Sequence, residues 1–263
     1  MLFWKRIPSA RDVLWRLLAL KAAVVHALAS PPRDILEERM ANWPEDESAR
    51  FIDKAAEGQR EFIQRIRKGG VWRYLTPSER AFLNTSVADM TSRQQLDFSW
   101  RAEAAQTLMW ALGIVPELPA IHVQADPELL KQVPRPGEPY KPRLRPGKET
   151  ESARDVVELW HWRSRTRQLI EQGRQLDSSP EMRAAGLTSF DDIVRQTARS
   201  LLEDGTFPDI IDDDFAVNGK AYRDLSDDEW SLVRSVTTER HHALNWLCGY
   251  APRNRWDETP TDT

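Results

Sequence analysis

Eight of the chain's 17 prolines fall between residues 113 and 149, in IVPELPAIHVQADPELLKQVPRPGEPYKPRLRPGKE. Proline has no amide hydrogen, holds φ near about −65° and steers the residue before it away from helix. So dense a run forbids sustained helix or sheet. Only Pro127–Gln132 keeps the makings of a short helical turn. The stretch therefore reads as a stiff arm crossing between two halves of one fold. A polyproline ligand for a partner domain is the sharper alternative.

Both sides of the arm carry the apolar period of helices. One helix is expected over 10–29, stopped by Ser30-Pro31-Pro32, and another over 45–68, stopped by Gly69-Gly70. Thr76-Pro77-Ser78-Glu79 combines a cap, a proline at the first helical position and a capping-box glutamate. A helix is expected over 92–112, then others over 152–172 and 189–203, the last ended by Gly205. Asn218-Gly219, between Phe215-Ala216-Val217 and Lys220-Ala221-Tyr222, signals a tight hairpin, because both turn residues tolerate positive φ. Ser226 and Glu229 form a capping box for a final helix, with Leu225 and Trp230 as its hydrophobic staple, and Gly249 ends it. The expected fold is mostly α: a single helical domain over 1–263 with the arm and at most one small β-hairpin.

The 263 residues are long enough to bury a core,. Charges of both signs are interspersed and sum to −4, so no basic stripe points to nucleic acid,. Lys5 and Arg6 precede an apolar stretch ending Ala27-Leu28-Ala29, which resembles an export signal. Arg16 and Lys21 interrupt that stretch, and neither a signal core nor a membrane span accommodates them. The single cysteine, Cys248, excludes an internal disulfide and suits a reducing, cytoplasmic compartment,. Eleven tryptophans are most simply anchors between helices,. No cofactor is implied. GxSxG, GxxxxGK[ST], HExxH and GxGxxG are all absent from the sequence,.

The histidines offer one metal constellation. On the last helix Glu239 and His242 share a face with Trp246, while His241 points about 100° away. Glu-x-x-His is the spacing of di-iron carboxylate bundles, and Glu158-Leu159-Trp160-His161 is a second copy. Glu103 and Glu203 precede the two copies in the matching order. With 20 glutamates and five histidines such pairs arise readily by chance, and Arg154 and Arg165 flank the first copy with positive charge.

Two segments, SWRAEAAQTLMWALG and ERHHALNWLCGYAPRNRWDETPTDT, resemble the paired signatures of the bacterial domain of unknown function family 4272. The residues that carry the resemblance are Trp100, Arg101, Glu103, Trp110, Ala111, Leu112 and Gly113, then Glu239, Arg240, Ala243, Leu244, Trp246, Trp256, Asp257 and Asp262. The resemblance implies a mostly helical domain and brings no catalytic residue. Arg101, Glu103, Glu239 and Arg240 are charges set among Trp, Ala and Leu. Charges near a core persist only when paired and hydrogen-bonded. Pairing Glu103 with Arg240, and Arg101 with Glu239 or a tail aspartate, is the simplest arrangement, with the tail folded back on Trp256. The leading functional expectation is a non-catalytic interaction or accessory protein with an unidentified protein partner. The alternatives are a small-molecule binder or enzyme using Arg101, Glu103, Glu239, Arg240, Trp110, Trp246, Trp256, Asp257 and Asp262, and a di-metal protein using Glu103, Glu158, His161, Glu203, Glu239 and His242.

Overall fold

The first long helix, α1 (Ala10–Ala29), starts where Ser9 and Asp12 exchange side-chain-to-backbone bonds in a capping box. The computed structural model describes residues 6–205 and 209–262, so Lys5 and Thr263 lie outside it. α1 is apolar on most of its circumference and buries Val13, Leu17, Leu20, Ala23, Val24 and Ala27. By length and composition alone Ala10–Met40 could cross a membrane, but 67% of its most apolar window is buried by protein.

Backbone contacts group the chain into two compact units. Unit 1 contains the chain up to Leu118, Ala125–Thr150 and His242–Pro260. In it α1 is followed by α2 (Arg33–Met40), α3 (Glu45–Lys68), α4 (Pro77–Asn84), α5 (Ser92–Ser99) and α6 (Arg101–Ala111). α1 packs on α4, α5 and α6. α2 is a helix that the Pro31-Pro32 stop signal concealed: Pro32 ends α1's neighbourhood and also serves as the cap of the next helix. The capping box at Thr76 and Glu79 starts α4 as expected.

The single helix expected over 92–112 is instead α5 and α6, broken at Trp100. The Ser99 hydroxyl bonds back to the Leu96 carbonyl at 2.8 Å, and the Glu103 amide takes the Trp100 carbonyl, three residues back. Such local bonds tighten and bend a helix. Beyond the break every residue from Ala102 to Ala111 is buried.

The proline-rich segment has no helix or strand apart from the tight turn Pro127–Gln132. It is nonetheless fastened. Val115, Ala125, Leu130 and Val133 are buried, and Arg145 donates to the carbonyls of Trp110 and Pro116 at 2.8 and 2.7 Å.

Unit 2 contains Pro119–Gln124, Glu151–His241 and the chain end from Thr261. Its helices are most of α7 (Gly147–Glu171), α8 (Pro180–Ala184), α9 (Phe190–Asp204) and most of α10 (Asp227–Leu247). Ser189 and Asp192 cap α9, and Gly205 ends it in the left-handed conformation. Between α9 and α10 lie β1 (Ile210–Ile211), β2 (Asp214–Val217) and β3 (Lys220–Ala221), paired antiparallel in that order. Asn218-Gly219 makes the expected hairpin, pairing Val217 with Lys220. A second hairpin extends it to three strands, because Asp212 and Asp213 both take positive φ and return the chain onto Phe215. An Asp-Asp pair is a far weaker turn signal than Asn-Gly, so the sequence predicts one hairpin where two share a strand. The core of this unit gathers Trp160, Ala198, Phe215, Val217, Tyr222, Leu225 and Val233.

α10 begins at the Ser226–Glu229 capping box. Its last turn closes as a Schellman motif: Tyr250 N–H reaches the Asn245 carbonyl at 3.0 Å while Gly249 holds φ at 79°,. A side chain at Gly249 would also strike the Arg6–Ile7 backbone, only 3.2 Å from an added Cβ.

Candidate functional site

Arg16 sits one turn inside an apolar helix and is 5% exposed. A guanidinium so placed is tolerated only with partners. It donates to the Tyr74 carbonyl at 3.0 Å and pairs with Glu79. Glu79 also receives the Thr76 amide at 2.9 Å, so one carboxylate caps α4 and neutralises α1. The guanidinium lies 4.9 Å from the centroid of the Trp256 ring. Trp256 is buried and meets Trp246 edge-on, with ring centroids 5.4 Å apart.

Beside this stack is a cavity of about 490 Å³ contained within unit 1. Asp12 and Arg16 line it from α1, Arg73 to Pro77 from the turn before α4, and Trp246 and Asn254 to Glu258 from the chain's end. The tail that walls it is well tied. The Trp246 indole donates to the Asn254 carbonyl at 3.1 Å, and the Asn245 amide donates to the Pro260 carbonyl at 2.9 Å. Arg253 and Asn254 hold consecutive positive φ angles of 53° and 62°. Two adjacent non-glycine residues in that region are costly and recur at functional sites. The Asn254 side-chain oxygen is buried with no partner among the described residues. Asp257 stands exposed at the rim, yet its carboxyl is pushed above the usual range, first by desolvation and then by the Glu79 charge.

Of the residues singled out in the sequence, Trp246, Trp256 and Asp257 line this cavity. Glu103 is fully buried and accepts the Ala125 amide at 2.6 Å. Arg240, 2% exposed, donates to the carbonyls of Pro119 and Val123. Both charges therefore fasten the backbone of the proline-rich arm, a role that side-chain pairing alone did not suggest. Trp110 is buried beneath Arg145, whose guanidinium lies 5.1 Å from the ring centroid. Arg101 and Glu239 are half-buried, and Asp262 is exposed. Arg101 was expected to answer a tail aspartate, and its charge does act on Asp257; the guanidinium that covers Trp256 is that of Arg16. Asp12, Arg16, Arg73, Tyr74, Thr76, Asn254 and Glu258 were missed. One signal was available, since a lone arginine on an apolar helix demands a buried partner.

The metal alternative meets a different geometry. Glu158 pairs with Arg154 at 3.1 Å, and Glu203 is exposed. His161 bonds His241 rather than His242: their Nδ1 atoms are 2.8 Å apart, so one ring donates and the other accepts,. Burial holds both imidazoles down to about 4, and Arg165 and Arg234 add to the effect at His161. The His242 ring packs edge-on against Trp256 at 4.5 Å. Among the described residues no three His, Cys, Asp or Glu side chains are grouped to hold an ion.

The chain matches the family described as domain of unknown function (DUF4272) over residues 5–181, and it belongs to that family. The match takes in α1, Arg73 to Pro77 and Trp100 to Gly113, and stops short of the C-terminal segment that shares the resemblance. No curated protein and no solved structure matches the chain.

Proposed function

We propose that this member of the family is a non-catalytic accessory protein that binds a small molecule in the unit 1 cavity. The observation that carries the reading is the cavity itself. Its size is within the range of small-ligand sites, roughly 300–1,000 Å³, and three aromatic rings, Tyr74, Trp246 and Trp256, line it together with six charged side chains. Consecutive positive φ angles at Arg253-Asn254 fit a wall whose shape is held for function,. The non-catalytic part rests on the sequence, in which GxSxG, GxxxxGK[ST], HExxH and GxGxxG are all absent,. A cytoplasmic setting suits the one buried thiol, and interspersed surface charge suits a protein partner better than nucleic acid or membrane,.

The test is a fragment screen read by the Trp246 indole N–H resonance, assigned with Trp246→Phe. Fragments that occupy the cavity should shift that signal, because the indole bonds the Asn254 carbonyl at the wall. If fragments bind only where Trp246 and Trp256 are silent, or bind nowhere, the cavity is not the site.

A further inference from the structure

We infer that the unit 1 cavity selects a small zwitterion, an amine and an acid carried on one apolar body such as an amino acid with an apolar or aromatic side chain, with Asp257 as counter-ion for the amine and Arg73 for the acid. The inference rests on the cavity being a ligand site and names what it takes.

The argument is an inventory of charge. Six charged side chains line the cavity, three of each sign: Asp12, Asp257 and Glu258 against Arg16, Arg73 and Arg255. Four of them are already committed. Asp12 accepts the Ser9 amide and hydroxyl at 3.0 and 2.8 Å in the cap of α1. Arg16 is held by Glu79 and the Tyr74 carbonyl. Arg255 pairs with Glu258. Asp257 and Arg73 remain, one of each sign and both exposed at the rim, and neither forms an ion pair among the described residues.

The surroundings of each point the same way. The Asp257 carboxyl is held above its usual range, first by desolvation and then by the Glu79 charge, against the pull of Arg16, Arg101 and the Thr76 side chain. An ammonium beside it would relieve the Glu79 repulsion. The Arg73 guanidinium lies over Tyr74 and Trp15, 5.0 and 5.6 Å from the ring centroids, so stacking orients it while its N–H edge remains for a carboxylate,. Tyr74, Trp246 and Trp256 supply apolar surface for the ligand's body. A simple cation would leave Arg73 unanswered, and a simple anion would leave Asp257 so.

Three probes with one body separate the charges: phenylalanine, phenethylamine, which lacks the acid, and 3-phenylpropionate, which lacks the amine. Their affinities are measured by calorimetry on the full chain and on Asp257→Asn and Arg73→Gln, with the Trp246 indole as reporter of site. Both substitutions fall on exposed positions, and equal melting temperatures confirm intact folding. Phenylalanine should bind tightest. Asp257→Asn should weaken phenylalanine and phenethylamine about tenfold and spare 3-phenylpropionate, and Arg73→Gln should do the converse, as expected for loss of one charge-assisted contact. A singly charged probe that binds as tightly as phenylalanine, or variants that leave the order unchanged, overturns the zwitterion assignment while the cavity reading stands. If no probe binds or moves the indole, the zwitterion assignment is overturned, and the fragment screen then decides the cavity separately.

Discussion

A buried arginine–carboxylate pair stands in each unit, and the two are built differently. In unit 2, Arg163 and Asp214 meet through two parallel bonds of 2.7 Å. Asp214 also accepts the amides of Phe215 and Arg223 at 2.8 and 3.0 Å, and Tyr222 covers the guanidinium at 4.6 Å. In unit 1, Arg16 reaches Glu79 through a single nitrogen, and Glu79 accepts one further amide, that of Thr76. Each guanidinium leaves one buried nitrogen without a partner among the described residues. The first pair is enclosed and joins α7 to the small sheet. The second pins α1 to α4 and forms a cavity wall. The same pairing of charges thus serves as a staple in one place and as architecture for an opening in the other. What separates them is how completely the carboxylate's lone pairs are taken up.

That contrast can be broken at several points. Asp214→Ala should have the largest effect, about 3–5 kcal/mol of stability, since it strands a buried guanidinium and two amides. Denaturant unfolding measures it, and a loss under about 1 kcal/mol would remove the staple reading. Glu79→Gln should remove less, about 2–3 kcal/mol, because a neutral amide keeps the shape and the neighbouring cavity lets water reach Arg16. It should also shift the Trp246 indole resonance, which Asp214→Ala should leave in place. Deleting residues 255–263 should lose a similar amount, a few kcal/mol, from the burial of Trp256. Melting should fall by several degrees, and proteolysis should quicken at the end of α10.

Acid supplies a graded test. Burial holds His26, His161 and His241 at about 4, below the ordinary value of 6.5. The unfolded chain therefore binds protons first as pH falls. Stability is full above about 6.5 and drains away between there and about 4. A denaturant midpoint that is flat from pH 7 to 4.5 would show these rings to be wetter than their burial implies. Asp257→Asn should change stability least, within about 0.5 kcal/mol, as surface substitutions do. A large loss there would mean that Asp257 holds the tail rather than a ligand.

What the sequence disclosed follows the range of the interaction. Capping boxes at Thr76 and Ser226 and the Asn218-Gly219 turn are written within four or five neighbouring residues, and each appears where the pattern places it. The break at Trp100 and the Asp212-Asp213 turn are also local, but they use residues that commonly do something else. The candidate site was half legible. Trp246, Trp256 and Asp257 stood out by type, whereas Arg16 finds Glu79 63 positions away and no local rule joins them. Glu103 and Arg240 are buried as suspected, and each bonds backbone groups, which carry no sequence signature.

The cavity draws its walls from Arg16 near one end of the sequence and Trp256 near the other, some 240 residues apart. During synthesis at roughly 5–20 residues per second, α1 waits on the order of ten to fifty seconds for the ring that will cover its arginine. Glu79 arrives early and can neutralise the charge while the ribosome is still at work. The cavity itself cannot exist until the tail emerges. A chain cut short before residue 254 would carry the pair without the pocket, so any ligand that captures this protein reads, in effect, whether translation reached the tail.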